Sequence, residues 1–201
     1  MIKNVVVFGA SSRTGVCVVN AAISKGLNVR VSVDRQTEQL RDRFRSVELV
    51  EGSPLDIQHV KATLEGQNAI IVVLGTKTKQ DTSNVTSEGI KNIVTVMELL
   101  RIKVISVCFQ SNTFHEDIHT TRDVLEQDER RSWRVLEGSS LHWVAVVTPY
   151  VTDVATTGYT IVRGPGYPGV SRGDLAKFLV DCLTMPERYQ KTVKIASLDK
   201  R

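Results

Sequence analysis

The stretch that decides the fold runs from residue 4 to residue 15 and reads Asn4-Val5-Val6-Val7-Phe8-Gly9-Ala10-Ser11-Ser12-Arg13-Thr14-Gly15. The apolar run at its start is typical of a buried strand. Beyond it, apolar residues recur at helical spacing: Val16, Val19, Ile23 and Leu27. The sequence therefore predicts a strand, a glycine-rich turn and a helix in direct succession.

The same alternation of apolar runs and helical stripes continues outward from this stretch. Further strands are predicted at 28–33, 47–50, 69–74, 103–109, 141–147, 159–162 and 193–196. Helical patterns lie between them, and Ser171 is a candidate N-cap for the last one. Strands that alternate with helices predict an α/β fold with a doubly wound, Rossmann-like parallel sheet. We expect a single domain that spans residues 1–201.

Composition and charge indicate which kinds of ligand the protein is suited to bind. The chain has 201 residues, 41% hydrophobic and 24% charged, and its 26 basic and 22 acidic residues give a net charge of +4 without charged blocks. This balance disfavours nucleic-acid and membrane binding but allows a small anion. The three cysteines are far apart and favour neither disulfides nor a zinc site, so we expect a reducing, cytoplasmic setting.

The glycine-rich turn lies where a dinucleotide-binding fold places a pyrophosphate. Gly9 would permit the tight turn and Gly15 would let the helix pack closely on the strand. Backbone N–H groups and the helix dipole would attract the phosphates, Arg13 would add a cation, and hydroxyl donors would come from Ser11, Ser12 and Thr14. Ser12 stands where the motif has its middle glycine, and a plain structural turn is the alternative interpretation.

The end of the second predicted strand carries two opposed signals for the adenosine ribose. Asp34 could accept a hydrogen bond from a 2′-hydroxyl and would favour NAD. Arg35 could pair with a 2′-phosphate and would favour NADP. The residues alone leave this choice open, and an ordinary charged loop is the alternative.

Several further stretches, in register with the glycine turn, carry a resemblance to a known family. They are 68–77 (Asn-Ala-Ile-Ile-Val-Val-Leu-Gly-Thr-Lys), 87–94 (Ser-Glu-Gly-Ile-Lys-Asn-Ile-Val), 141–146 followed by Pro149, and 171–176. Together they make the chain similar to the flavin reductase/biliverdin-IXβ reductase family, within the atypical short-chain dehydrogenase and NmrA-like Rossmann group.

This resemblance implies a monomeric, NADPH-dependent reductase of free flavins and linear tetrapyrroles, with the flavin as a substrate and not a tightly bound group. Acceptor-binding loops are implied near 110–122 and 150–170. The resemblance also implies these further cofactor-binding positions: Asp34, Arg35, Ser53, Leu74, Gly75, Lys77, Cys108, Pro149, Tyr150 and Val151.

The chain departs from the family at several site positions. Asp34 stands where the family has the arginine that reads the 2′-phosphate, and Ser53 where it has an aspartate. On the acceptor side, Gln110 replaces a serine, although Ser111 is adjacent, while Glu129 and Tyr150 replace histidines. The catalytic candidates are therefore Gln110, Ser111, Glu129 and Tyr150.

Two hypotheses of function follow. The first is an NAD(P)H-dependent reductase that transfers hydride to a free flavin and more weakly to biliverdin, with NADP(H) preferred and NAD(H) as the alternative. The second is an NmrA-like NADP(H)-binding regulator without turnover. His115 and His119 lie four apart without an evident third ligand, so no metal site is expected. The charged run 123–131 is predicted to be a solvated helix face.

Overall fold

The computed structural model describes residues 1–35, 38–74, 84–110, 124–148, 150–163 and 169–198, and of Gln110 and Leu125 it describes the backbone. The strands are β1 (Asn4–Phe8), β2 (Asn28–Val33), β3 (Glu48–Glu51), β4 (Ala69–Val72), β5 (Val104–Gln110), β6 (His142–Thr148), β7 (Val151–Thr152), β8 (Tyr159–Val162), β9 (Val170–Ser171) and β10 (Lys191–Ser197). The helices are α1 (Arg13–Ser24), α2 (Glu38–Arg43), α3 (Ile57–Leu64), α4 (Val85–Leu99), α5 (Val124–Glu137) and α6 (Arg172–Asp181).

Eight strands form the central sheet in the order β3-β2-β1-β4-β5-β6-β10-β8. All neighbouring pairs are parallel except β10 and β8, which are antiparallel. β7 and β9 form a separate parallel pair. The predicted doubly wound Rossmann-like sheet is confirmed. The strand order reverses between β1 and β4, and such a reversal opens a crevice at the carboxyl ends of the two strands.

The apolar content of the strands follows from burial on both faces of the sheet. Val5 and Val7 pack in one core with α1 and α6, and Val6 and Phe8 pack in the other with α4. Because successive strand residues point to opposite faces, an uninterrupted apolar run supplies both cores at once. Among the described residues, no helix combines the length and apolar character needed to cross a bilayer.

Helix caps fix where the helices begin. Ser12, Asp56 and Ser171 each accept a hydrogen bond from the first turn of the helix that follows. The predicted N-cap at Ser171 is confirmed. These caps satisfy N–H groups that the helix itself cannot pair.

Helix α4 is capped from a distance. Asp128 of α5 accepts hydrogen bonds from the backbone N–H groups of Thr86, at 2.9 Å, and Ser87, at 3.2 Å. Asp128 is 1% exposed, so the prediction that 123–131 forms a solvated face is wrong at this residue. A carboxylate can be buried here because it meets the positive end of a helix and two donors.

A second buried carboxylate, Asp174, joins the C-terminal elements. It is 0% exposed and accepts hydrogen bonds from the hydroxyls of Ser171 and Ser197, both at 2.6 Å. The backbone N–H groups of Gly158 and Thr157 also donate to it, at 2.8 and 3.3 Å. The carboxylate thereby connects the start of α6, the end of β10 and the segment before β8.

Candidate cofactor site

A cavity of about 900 Å³ opens at the carboxyl ends of β1, β4, β5 and β6, where the strand order reverses. Eleven of the residues predicted for the site line it: Gly9, Ser11, Ser12, Arg13, Thr14, Asp34, Ser53, Leu74, Cys108, Glu129 and Val151. The fold therefore brings together, in one cavity, positions that span residues 9–151 of the chain.

Other predicted positions lie elsewhere or outside the described residues. Gly15 packs beneath the turn, Arg35 is exposed, and Tyr150 is 60% exposed beside the cavity-lining Val151. Gln110 ends β5, and its side chain is outside the described part. Also outside it are Gly75, Lys77, Ser111, Pro149 and the two candidate metal ligands His115 and His119.

The glycine turn has the geometry of an anion-binding turn. Gly9 has φ +81°, and a Cβ there would lie 2.3 Å from the carbonyl oxygen of Val73, so the absent side chain lets the turn approach the end of β4. The Ser12 hydroxyl donates to Gly9 O at 2.8 Å and accepts from Gly15 N at 2.9 Å. The serine thus serves as the cap of α1. The other N–H groups of the first turn have no acceptor within the helix, and they lie at the start of α1, where Arg13 and Thr14 line the cavity.

Two arginines meet one carboxylate beside this turn. Arg13 and Arg172 both bind Asp153, with Arg172 Nε at 2.9 Å from Asp153 Oδ1. Arg172 Nη1 also donates to Thr14 Oγ1 at 2.8 Å. Hydrogen bonding from Arg172, together with the charges of both arginines, lowers the pKa of Asp153. Sequence reasoning missed Asp153, whose ionised form holds Arg13 in place.

We expect Asp153→Asn to strengthen NADP⁺ binding about two- to fivefold, because an exposed ion pair is weak and its loss frees Arg13 for a phosphate. Isothermal titration calorimetry measures the change. Asp42→Asn is the matched control, since Asp42 pairs with Arg45 on the surface. Weaker binding in Asp153→Asn alone would show that the carboxylate supports the site instead of competing for Arg13.

A histidine supports the end of the cavity that lies at the carboxyl end of β2. Ser32, Asp34, Ser53 and Pro54 line this end. Behind them, His59 Nε2 lies 3.0 Å from Ser32 Oγ. Burial lowers the pKa of His59, against the opposing effect of the negative charges on Asp56 and Asp34. Sequence reasoning did not connect His59 with the site, since the contact depends on packing of α3 against β2.

The other end of the cavity is formed by Cys108, Phe109, Glu129, Thr148 and Val151. Burial, and to a lesser extent the charge of Glu129, raises the pKa of the Cys108 thiol to about 12. The thiol is therefore protonated near neutral pH and is a neutral wall rather than a nucleophile. Phe109, Thr148 and the start of α4 at Val85 and Thr86 were not predicted as parts of the site.

These features fit a phosphate-bearing dinucleotide. The cavity volume falls in the range of known ligand sites, about 300–1,000 Å³. The start of α1 offers helix N–H groups and Arg13, and the end at Ser32, Asp34 and Ser53 offers hydroxyl and carboxylate acceptors for a ribose. A glycine turn at the reversal point of a parallel sheet defines the chain as a Rossmann-type nucleotide-binding protein.

A comparison with protein families assigns the chain more narrowly than the fold does. The chain belongs to the NAD(P)H-binding family, whose profile matches residues 9–186. This match extends from the glycine turn to the segment just before β10.

Solved structures share the whole fold at low sequence identity. A proposed NAD-dependent epimerase/dehydratase from Bacillus halodurans has a TM-score of 0.84 and 16% identity, over 98% of this chain and 95% of that one. A short-chain dehydrogenase/reductase from Veillonella parvula DSM 2008, in complex with NADP, gives 0.78 and 15%, over 98% and 95%. A proposed NADH-flavin reductase from Streptococcus pneumoniae TIGR4 gives 0.79 and 16%, over 98% and 100%. At these identities the similarity shows the fold.

Proposed function

We propose that the protein is an NAD(P)H-dependent oxidoreductase that passes hydride to a free flavin and, more weakly, to a linear tetrapyrrole such as biliverdin. The observation that carries the proposal is the continuity of the cavity from the phosphate-binding turn to the neutral wall at Cys108 and Val151. The name of the Streptococcus pneumoniae neighbour is consistent with a flavin as acceptor.

The chain's own residues bind and orient the reactants. The start of α1 would hold the diphosphate, and Ser32, Asp34 and Ser53, which line the cavity, would contact the adenosine ribose. When bound, the nicotinamide supplies the hydride. Cys108 and Thr148 line the end of the cavity opposite the ribose residues. The exposed ring of Tyr150 lies beside this end and offers a surface for a flat acceptor.

The direct test is flavin-stimulated oxidation of NADPH by the purified protein, followed at 340 nm. We expect NADPH oxidation to rise with added FMN, and to rise less with biliverdin. NADPH binding without any acceptor-stimulated oxidation would contradict the reductase and would favour the NmrA-like regulator. Size-exclusion chromatography tests the proposed monomer, and cell fractionation tests the cytoplasmic location.

The choice of cofactor rests on residues 34 and 35. We propose a modest preference for NADPH, because Arg13 and Arg35 are cations on the turns that flank the ribose end, while Asp34 lines the cavity and repels a 2′-phosphate. Asp34→Arg should strengthen NADPH binding over NADH about tenfold, and Arg35→Ala should reduce the preference.

Dissociation constants for both cofactors measure this preference. Asp42→Arg makes the same charge change on α2 and controls for a general electrostatic effect. If the wild type binds NADH more tightly than NADPH, the proposed preference is wrong.

The source of the proton gives a further prediction. Tyr150 is 60% exposed, and its ring lies against Gly169, where a Cβ would be 2.5 Å from Cε2 of the ring. A flavin in an open site can take its proton from water, so Tyr150→Phe should change the single-turnover rate of FMN reduction less than about tenfold. Tyr150→Ala, which removes the ring, should raise the KM for FMN more than Tyr150→Phe does. A fall of about a hundredfold in Tyr150→Phe is the size expected for a lost general acid, and would identify Tyr150 as the donor.

A further inference from the structure

His59 and Ser32 form a hydrogen-bonded pair at the wall of the cavity. Ser32, near the end of β2, lines the cavity and is 4% exposed. His59 lies behind it on α3, with Nε2 at 3.0 Å from Ser32 Oγ and 3.4 Å from Thr63 Oγ1. In the described part of the chain the Ser32 hydroxyl bonds only to His59, so it can form a further hydrogen bond to a ligand.

The imidazole ring of His59 also packs on the turn that follows β3. A Cβ built on Gly52 would lie 2.2 Å from Nδ1 and 2.5 Å from Cγ of the ring, so the ring lies directly against the backbone there. Ser53, the next residue, lines the cavity. His59 therefore contacts this wall from behind at two places, and a change in its charge acts on this end of the cavity.

The protonation state of His59 determines which group Ser32 offers to a ligand. A neutral imidazole with its hydrogen on Nδ1 accepts the Ser32 hydrogen at Nε2, and the serine then has only lone pairs left. An imidazolium donates from both ring nitrogens, so Nε2 donates to Ser32 Oγ and the serine hydrogen turns to another acceptor. A ribose 2′-hydroxyl can donate to the lone pairs, whereas an ionised 2′-phosphate needs the hydrogen.

The charges around His59 determine the pH at which it takes up a proton. Burial lowers its pKa below the ordinary value of 6.5, and the carboxylates of Asp56, on α3, and Asp34, at the end of β2, oppose this effect. Further charged groups on α3 and the neighbouring elements are the ion pairs Arg30–Glu48 and Lys91–Glu88 and the exposed side chains of Arg35, Glu51, Lys61 and Glu65. A bound 2′-phosphate would add between one and two negative charges at this end and raise the pKa of His59, which NAD(H) would not do.

We propose that His59 is a positioning residue for cofactor choice that acts through the Ser32 hydroxyl: its neutral form favours the 2′-hydroxyl of NAD(H), and its protonated form favours the 2′-phosphate of NADP(H). This inference rests on the proposed function, in which the adenosine ribose contacts Ser32, Asp34 and Ser53. The preference for NADP(H) over NAD(H) therefore increases as the pH falls, and NADP(H) binding promotes proton uptake at His59.

Proton NMR of the imidazole rings tests this inference on the full chain with NADP⁺ and NAD⁺. The chain has four histidines, and the signal that disappears in His59→Gln is that of His59. We expect saturating NADP⁺ to raise the pKa of His59 by about one unit, and NAD⁺ to leave it nearly unchanged. By linkage, about one unit corresponds to as much as a tenfold gain in NADP⁺ binding over NAD⁺ binding between pH 8 and pH 5.

Three variants separate the role of His59 from other effects of pH. The 2′-phosphate of NADP⁺ itself titrates near pH 6, and His59→Gln, which cannot take up a proton, should retain only this dependence in the ratio of the two dissociation constants. Ser32→Ala keeps the histidine and should reduce the NADP⁺-induced rise in its pKa by more than half. His142→Gln is the matched control, because His142 is exposed at the start of β6 and the cavity lies at the other end of that strand. It should behave like the wild type.

Melting temperatures close to the wild-type value check that the variants fold, and His59→Asn replaces His59→Gln if the latter does not. The proposal is overturned if His59 has the same pKa with NADP⁺ as with NAD⁺, or if Ser32→Ala shows the full wild-type rise. Absence of flavin-stimulated NADPH oxidation would count against the proposed reductase alone, since these measurements require cofactor binding and no turnover.

Discussion

Gly15→Ala should weaken NADP⁺ binding about a hundredfold, roughly 2.7 kcal/mol, which lies within the cost of forcing a methyl group into a packed site. A Cβ at Gly15 would lie 2.1 Å from the carbonyl oxygen of Gly9 and 2.7 Å from the Cα of Ala10. Both are backbone atoms, so the start of α1 must move away from the turn, and its phosphate-binding N–H groups move with it. Isothermal titration calorimetry with NADP⁺ measures the loss.

Gly26→Ala provides the matched control at the other end of α1. Gly26 has φ +77°, and a Cβ there would meet nothing within 4 Å. This substitution introduces backbone strain of about 1–2 kcal/mol but no collision. It should lower the melting temperature while NADP⁺ affinity stays unchanged. A folded Gly15→Ala variant that binds NADP⁺ like the wild type would show that the phosphates do not lie at this turn.

The second large effect is expected at Asp174. Asp174→Asn replaces an acceptor-only carboxylate with a group that also donates, so hydroxyl and N–H donors lose partners in a buried place. The free energy of unfolding should fall by about 3 kcal/mol, which lowers the melting temperature by roughly 6–12 °C in a chain of this size. Thermal unfolding followed by circular dichroism measures the shift.

This loss should depend on pH. Burial alone would raise the pKa of Asp174, but hydrogen bonds from Ser171, Ser197, Gly158 and Thr157 outweigh it and hold the pKa below its usual value. A carboxyl whose pKa is lower in the folded state stabilises the fold above its unfolded pKa, about 3.9, and ceases to do so as the pH falls through the folded pKa. The deficit of Asp174→Asn should therefore be full at neutral pH and shrink below about pH 4.

Asp42→Asn, an exposed change, should leave stability within about 0.5 kcal/mol of the wild type. An Asp174→Asn deficit of the same size at pH 3 and pH 7 would mean that the carboxylate charge does not contribute, and that shape alone explains the loss.

The sequence predicted what depends on local patterns. The run at 5–8 and Gly9 identified β1 and the turn, since a buried strand and a left-handed turn each leave a signature within a few residues. The cap at Ser171 was readable for the same reason, because its partner is Asp174, three residues on. The alternation of such segments was sufficient for the order of helices and strands and for the class of sheet.

Contacts between distant segments could not be read in this way. Asp128 accepts a hydrogen bond from Thr86, 42 positions earlier in the first turn of α4, so its charge suggested solvent although the fold buries it. Asp153 meets Arg13 across 140 positions, and His59 reaches Ser32 across 27. Each pairing depends on how elements pack, which a single sequence does not encode locally.

The position of β10 has a consequence for biosynthesis. This strand follows every other described strand in the chain, yet it lies inside the sheet, parallel to β6 and antiparallel to β8. While the ribosome is still making β10, β6 is a temporary edge of the sheet, although nearly all of its residues are buried in the finished fold. At this stage β8 also lacks the strand with which it pairs. Exposed apolar edges of this kind invite pairing with other chains. The nascent protein should therefore need chaperone protection at β6 until synthesis has passed Ser197.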